Sequence, residues 1–297
     1  MRVAVVGVPL DLGAARRGTD MGPGALRYAR LHDALARLGH QVSDLGNLAV
    51  PVAESRAEDR PRLRYLPEIC AVCADLAAVV DRTRRAGAVP VVLGGDHSVS
   101  IGTLAGYARA GERPGVLWVD AHADFNTEAT TLSGNIHGMP LAAATGRGTP
   151  ELVAAAGAGW LPDEAVAIVG VRDVDPEERR ALRDSRVHAY TMADVDREGA
   201  ASVVTRALRA ATAGGRRAVH VSLDLDALDP DIAPGVGTPV PGGLTYREAH
   251  LAMEMAAASG LVCGVDVVEV NPILDAHNRT ARLAVGLLAS LLGERIL

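Results

Sequence analysis

The chain has 297 residues, of which 48% are hydrophobic and only 3% aromatic, so it can bury a sizeable core packed mostly by Ala, Val and Leu. A formal net charge of -6 without any basic run argues against nucleic acid or an anionic membrane as the main partner. All thirty basic residues are arginines, which excludes lysine Schiff bases and a phosphate-binding loop lysine. A small soluble substrate fits this composition better.

The cysteines are Cys70, Cys73 and Cys263, an odd number that favours a reducing compartment over a disulfide scaffold. Cys70 and Cys73 form a C-x-x-C within a helical stretch, which favours packing over redox chemistry. No uncharged apolar stretch reaches membrane-spanning length. We therefore expect a cytoplasmic protein.

In chain order, the sequence alternates between apolar strand patterns and helical patterns. The first strand leads into a Gly-rich loop whose glycines do not fit the dinucleotide fingerprint, then into a helical pattern over 26–38. The pattern over 48–64 indicates an irregular surface connection. The pattern over 66–86 predicts a long helix. The eight predicted strands cover 3–8, 41–45, 89–93, 115–119, 165–171, 187–190, 218–223 and 261–268. This alternation predicts a doubly wound α/β sheet in one domain, residues 1–297.

Polar side chains follow four of the predicted strands. His97 follows the third strand, the segment Asp120 to Asp124 the fourth, Asp224 and Asp226 the seventh, and Glu269 the eighth. Ligands of such sheets bind beyond the carboxyl ends of the strands. We therefore expect these residues to share one edge of the sheet.

Asp120, His122 and Asp124 occupy alternate positions, so their side chains can point the same way, roughly 6–7 Å apart. With His97, Asp224 and Asp226 they make two imidazoles and four carboxylates, too many for one ion and suited to two about 3.5–4 Å apart. Nitrogen and oxygen ligands without thiolate suit manganese better than structural zinc. The alternatives are a solvated Asp-rich turn or a hydrogen-bond network at the strand ends.

Several blocks resemble the signatures of the ureohydrolase family. The sequence is similar to that family at Gly-Gly-Asp-His-Ser 94–98, Asp-Ala-His-Ala-Asp-Phe-Asn 120–126, Ser-Gly-Asn-Ile-His-Gly 133–138 and Ser-Leu-Asp-Leu-Asp 222–226. Residues 237–239, 242–248 and 268–272 resemble arginases in particular. The similarity runs in one order from Gly7 almost to the C-terminus.

The resemblance implies a three-layer αβα fold with a central, mainly parallel eight-stranded sheet. It also implies two Mn²⁺ per chain, one held by His97, Asp120, Asp124 and Asp224 and the other by His122, Asp120, Asp224 and Asp226. The implied reaction is hydrolysis of L-arginine to L-ornithine and urea, and the implied assembly is a hexamer of two trimers, alternatively a trimer. Two ions lower the pKa of a bridging water enough to supply hydroxide.

The resemblance also implies roles for individual side chains. His137 is the candidate proton shuttle for the leaving amine, because imidazole titrates in the useful range. Asp124 would also aim the attacking hydroxide, and Glu269 would pair with the guanidinium. The neutral donors for the α-carboxylate would be Asn126, Thr131, Ser133 and Asn135, and the α-ammonium would be received by Asp175, helped by Glu178.

Agmatine has no carboxylate, so the neutral donors in 126–135 favour arginine as the substrate.

Other interpretations of these residues remain open. His137 could cap a turn, Glu269 could be a structural partner of an arginine, and Asp175 and Glu178 also fit a helix start. Thr238, Arg247 and Glu248 are interpreted as loop or helix-cap residues. The alternative functions are another ureohydrolase acting on agmatine or a guanidino acid, a metal-dependent deacetylase, and a non-catalytic sensor.

Overall fold

Eight strands form one sheet in the computed structural model, which describes residues 1–56 and 60–295. They are β1 (Arg2–Val8), β2 (Gln41–Asn47), β3 (Val89–Gly94), β4 (Gly115–Val119), β5 (Val166–Val171), β6 (His188–Thr191), β7 (Val219–Asp224) and β8 (Val262–Val268). Their order is β2-β1-β3-β8-β7-β4-β5-β6, and each of these strand pairings is parallel. The predicted sheet is therefore confirmed, with strand ends that differ from the prediction by at most two residues.

Helices cover both faces of the sheet and give three layers. They are α1 (Gly22–Tyr28), α2 (Leu31–Arg37), α3 (Leu66–Arg85), α4 (Val99–Ala110), α5 (Pro140–Ala144), α6 (Pro150–Ala155), α7 (Pro176–Asp184), α8 (Met192–Glu198), α9 (Ala200–Ala211), α10 (Tyr246–Ala258) and α11 (Arg279–Leu291). One hydrophobic core joins the sheet to α1, α2, α9, α10 and α11. The core on the other face joins it to α3, α4, α5 and α6.

The single helix predicted over 26–38 is wrong. The chain forms α1 and α2 instead, and Arg30 between them has a φ of 65°, a left-handed conformation that interrupts helical hydrogen bonding. The connection predicted over 48–64 is irregular apart from one 3-10 turn, Ala53–Ser55, although residues 57–59 of it lie outside the described part of the chain. No helix in the described ranges is long and apolar enough to cross a bilayer.

The strand order places the four functional strand ends side by side. Leu93 of β3 pairs with Val267 of β8, which pairs with Leu223 of β7, and Leu223 pairs with Val119 of β4. These four residues lie level across the centre of the sheet. The residues that follow them therefore emerge at the same edge, as the sequence predicted.

Helix α4 begins just after His97 and packs closely on α3. A Cβ on Gly102 would lie 2.7 Å from the carbonyl oxygen of Cys73, and a Cβ on Gly106 would lie 2.4 Å from Cβ of Val80. The C-x-x-C motif is thus part of a helix–helix contact, with Cys73 fully buried and its thiol free. Burial and close approach at Cys73 favour packing over redox chemistry, and the contact holds the helix behind His97 in place.

Candidate metal centre and adjoining cavity

His97 lies within a cluster of carboxylates at the ends of the central strands. Its Nδ1 atom is 3.1 Å from Oδ2 of Asp120, 3.0 Å from Oδ2 of Asp124 and 3.0 Å from Oδ2 of Asp224. The side chains of these four residues are at most 7% exposed. The structure thus brings together residues from three separate strand ends.

A second cluster adjoins the first and shares Asp120 with it. Nδ1 of His122 lies 3.4 Å from Oδ1 of Asp120 and 3.1 Å from Oδ2 of Asp226. Oδ1 of Asp224 accepts the backbone N–H of Asp226 at 2.8 Å, which fixes these two carboxylates relative to one another. Each oxygen of Asp120 therefore faces a different histidine.

The pKa values of these groups show a site rich in negative charge. Burial and the charge of Asp120 raise the pKa of Asp124 to about 6, and burial and neighbouring carboxylates raise that of Asp224 well above its usual value. Burial would lower the pKa of His97, but the charge of Asp124 and its neighbours raises it well above the usual range. Two imidazolium groups would still leave four carboxylates incompletely balanced.

Buried neighbours fix the orientation of the first cluster. The ring of His97 stacks on Trp118 with centroids 4.1 Å apart, and its Nε2 lies 2.8 Å from the hydroxyl of Ser222. The indole N–H of Trp118 donates to Oδ2 of Asp120 at 2.9 Å. These contacts leave Nδ1 of His97 directed at the carboxylates, as expected for a metal-binding imidazole.

The donor atoms fit divalent cations. Nδ1 of His97 and Oδ2 of Asp124 are buried and 3.0 Å apart, but neither atom makes a hydrogen bond, which is costly unless another group compensates them. The donor atoms of His97, Asp120 and Asp224 lie within 4.8 Å of one another, as do those of Asp120, His122 and Asp226. Each group could hold a metal ion through nitrogen and oxygen ligands.

His137 lies next to the clusters and is ion-paired. Its Nδ1 is 2.9 Å from Oε1 of Glu269, which also accepts the backbone N–H of His97 at 2.9 Å. Burial lowers the pKa of His137, but the charge of Glu269 more than offsets this and raises it to about 9. His137 is therefore held as a proton-bearing group, and Oε2 of Glu269 is buried without a hydrogen bond.

Two of these residues have strained backbone conformations. Asp124 has a φ of 50° and Glu269 a φ of 64°, in the left-handed region that side chains other than glycine seldom occupy. Such strain costs on the order of 1–3 kcal/mol and is concentrated at functional sites. The surrounding hydrogen bonds must therefore hold both carboxylates in place.

A cavity of about 140 Å³ opens onto both clusters. Its lining includes His97, His122, Asp124, Asp224, Asp226, His137, Asn126, Ser133, Asp173, Asp175, Glu178 and Thr238. Nδ2 of Asn126 donates to Oδ2 of Asp175 at 3.1 Å, which places an amide beside a carboxylate on one wall. Glu269 does not line this cavity but reaches it through His137.

The other predicted substrate residues have structural contacts. Thr131 and Asn135 are buried outside the lining, where the Thr131 hydroxyl accepts the N–H of Gly134 at 3.0 Å. Glu178 lines the cavity, but its carboxylate also accepts the N–H of Phe125 at 2.8 Å and that of Asp175 at 3.3 Å. The helix-start interpretation of Glu178 is thus confirmed, and Glu248 likewise caps α10.

Several residues at this site were not predicted from the sequence to belong to it. The Thr238 hydroxyl donates to Oδ2 of Asp226 at 2.9 Å, and the guanidinium of Arg172 donates to backbone carbonyls that include those of Asp226 and Val240, each at 2.7 Å. Asp96 is fully buried beside His97. Thr238 and Asp96 both lie inside motifs recognised from the sequence, at 237–239 and 94–98.

His220 is buried too far from the clusters to contact them directly. Its Nε2 lies 3.2 Å from Oδ2 of Asp266, and the same oxygen accepts the hydroxyl of Ser100 at 2.7 Å. Ser100 lies 3.3 Å from Ser222, the residue bound to His97. A buried polar network thus continues behind the metal ligands.

Comparisons with known proteins agree along the whole chain. The model described as the arginase family matches residues 1–293. The chain is 49% identical to an arginase of Bacillus caldovelox and 47% identical to an arginase of Bacillus subtilis (strain 168), over 99% of both chains in each case. The crystal structure of the Bacillus caldovelox arginase superposes with a TM-score of 0.95 over 99% of both chains. The crystal structure of the arginase from Bacillus cereus, which is 46% identical in sequence, superposes with a TM-score of 0.94 over 100% of both chains.

Proposed function

This chain belongs to the arginase family, and we propose that it hydrolyses the guanidinium of L-arginine to L-ornithine and urea. The observation that carries the proposal is the arrangement around Asp120. Its two oxygens face His97 and His122 separately, and both histidines line one cavity with His137. Sharing of one carboxylate between two neighbouring sites suits a pair of metal ions about 3.5–4 Å apart.

We propose two Mn²⁺ per chain as the cofactor. One would be held by His97, Asp120, Asp124 and Asp224, and the other by His122, Asp120, Asp224 and Asp226. Once bound, two such ions lower the pKa of a shared water, so that hydroxide is available near neutral pH. The oxygen-rich ligand set and the buried Nδ1 of His97, which faces three carboxylates without making a hydrogen bond, support this assignment.

His137 would donate a proton to the leaving amine, and Glu269 would pair with the positive charge of the guanidinium. The bond from the guanidinium carbon to the alkyl nitrogen breaks, and that nitrogen must gain a proton to leave as an amine. His137 lines the cavity and would donate this proton, then recover one from the water consumed. Oε1 of Glu269 accepts two N–H groups, which leaves Oε2, buried and outside the lining of the cavity, as the atom that a guanidinium would have to reach.

The far wall of the cavity would select arginine. Asn126 and Ser133 would contact the α-carboxylate, and Asp175 the α-ammonium, with Glu178 acting mainly through the backbone that it holds. Thr131 and Asn135 would act at a distance, by shaping the loop that carries Ser133. A substrate without a carboxylate would leave these polar groups unpaired and bind more weakly.

We expect the metal-stripped protein, reloaded with manganese, to release urea from L-arginine and to prefer it strongly to agmatine. Metal content measured on the same sample should be about two ions per chain. A preference for agmatine would keep the metal chemistry and contradict the roles of Asn126, Ser133 and Asp175. Absence of urea from both substrates, with metal bound, would favour a deacetylase or a sensor.

We also propose a homo-oligomer, a hexamer or alternatively a trimer, formed by a single-domain chain. Large apolar side chains that a partner subunit could cover support this, since Tyr28 is 88% and Ile273 64% exposed. Light scattering should give a mass of three or six chains, and a monomer would contradict the proposal.

The free thiols of Cys70, Cys73 and Cys263 support our proposal of a reducing, cytoplasmic location.

A further inference from the structure

The turn that follows β3 holds the loop that follows β1. Oδ2 of Asp96 accepts the backbone N–H of Gly13 at 2.7 Å, and the N–H of Asp96 donates to the carbonyl of Leu10 at 2.7 Å. Oδ1 of Asp96 accepts the N–H of Ser98 at 3.0 Å and also the Ser98 hydroxyl. Asp96 is fully buried, so its carboxylate ties the loop and the turn together without competition from water.

Gly13 passes this constraint to His137. The carbonyl of Gly13 accepts the backbone N–H of His137 at 3.1 Å. One glycine therefore binds Asp96 through its N–H and His137 through its carbonyl. A shift of the Asp96 side chain would move the backbone on which the proposed proton shuttle is mounted.

The ring of His137 is anchored to the same turn from the other side. Glu269 binds Nδ1 of His137, and its own N–H donates to the carbonyl of Gly95 at 2.8 Å. It also accepts the N–H of His97. Backbone and ring of His137 are thus both held, through different intermediates, by residues 95–97.

This arrangement has little room for movement. A Cβ on Gly13 would lie 2.8 Å from Oδ1 of Asp96 and 2.9 Å from the Ser98 hydroxyl. A Cβ on Gly95 would lie 1.7 Å from the carbonyl oxygen of Leu10. The loop and the turn therefore touch at two glycines, and a change at Asp96 cannot be absorbed between them.

We propose that Asp96 is a positioning residue that sets the place of His137 at the cavity by way of Gly13. The inference rests on the proposed function, because it assigns a consequence to the proton shuttle. Loss of this constraint lowers turnover, because proton transfer depends on sub-ångström placement. Substrate binding and metal content change little, because Asp96 does not line the cavity and its carboxylate accepts hydrogen bonds from Gly13 and Ser98.

Two substitutions test this from opposite ends of one hydrogen bond. Asp96→Asn keeps the shape but puts an amide donor against a backbone or hydroxyl donor, and Gly13→Ala pushes the loop away from an intact Asp96. Each should lower kcat by about ten- to a hundredfold with KM and metal content near those of the unmodified protein. Asp44→Asn and Gly24→Ala are the controls, since Asp44 holds Gly46 far from the site and Gly24 has open space for a Cβ.

The decisive measurement repeats both substitutions in a His137→Asn protein. If Asp96 and Gly13 act through His137, each substitution should lower the residual kcat of the His137→Asn protein less than twofold. The inference would be overturned if each substitution lowered kcat by the same factor as in the unmodified protein. Unchanged kcat in both single variants would also overturn it. Normal turnover of His137→Asn itself would instead refute the proposed shuttle. If Asp96→Asn fails to fold, the Gly13→Ala cycle still decides.

Discussion

Asp120→Asn is expected to lower urea release by at least about a thousandfold. Asp120 faces both histidines, so an amide there removes the negative charge shared by both metal sites and leaves one of them without a ligand oxygen. Stabilisation of the reacting centre by metal ions is worth several kcal/mol, and about 4 kcal/mol corresponds to about a thousandfold in rate. The loss should exceed that at a ligand of one site alone, such as Asp226.

Metal binding separates this effect from simple unfolding. The unmodified protein should gain thermal stability when manganese is added to the stripped form, because ligands that bind only the folded state stabilise it. Asp120→Asn should lose most of this gain and hold fewer than two ions per chain. Asp163→Asn, which breaks an ion pair with Arg147 away from the clusters, should keep both. A fully loaded, active Asp120→Asn protein would contradict the shared-ligand arrangement.

The edge of the sheet that carries the site could be predicted from sequence alone. Parallel strands all end at the same edge, so the residues after each strand could be grouped before the strand order was known. That order could not be predicted, because β3 and β4 are consecutive along the chain but are separated by β8 and β7 in the sheet. The alternation of strands and helices along the chain does not determine which strands become neighbours in the sheet.

Two of the residues that were not predicted, Arg172 and Asp96, act through backbone groups. Arg172 binds carbonyl oxygens of distant loops, and Asp96 binds the N–H of Gly13, 83 residues earlier in the chain. Backbone partners leave no mark in a sequence pattern. The break at Arg30 was missed for a related reason, since arginine has a good helix propensity and tertiary packing overrides it.

The polar wall of the cavity shows the same limit. The resemblance implied four neutral donors in 126–135, but it did not say which of their side chains this loop turns toward the cavity. The fold turns Asn126 and Ser133 toward the cavity and buries Thr131 and Asn135 outside its lining. Side-chain direction in an irregular loop depends on contacts that no local periodicity encodes.

Glu269→Gln is expected to lower kcat on L-arginine by about a thousandfold while both ions stay bound. The carboxylate is charged and buried, and it has two proposed tasks: it holds His137 and offers Oε2 to the guanidinium. Each charged hydrogen bond lost in a buried site costs about 1.5–3 kcal/mol, so two together account for this fall. A glutamine can still accept the N–H of His97, so the metal ligands should stay in place.

The pH dependence of the variant distinguishes the two tasks of Glu269. The carboxylate raises the pKa of His137 to about 9 against the effect of burial, so its removal lets His137 lose its proton at lower pH. The alkaline limb of the kcat profile should therefore move to lower pH, and KM for arginine should rise because the guanidinium loses its partner. Glu112→Gln, which removes an ion pair with Arg84, is the control and should change neither. A raised KM with an unmoved alkaline limb would leave Glu269 as a substrate ligand only, and normal kcat and KM would contradict both tasks.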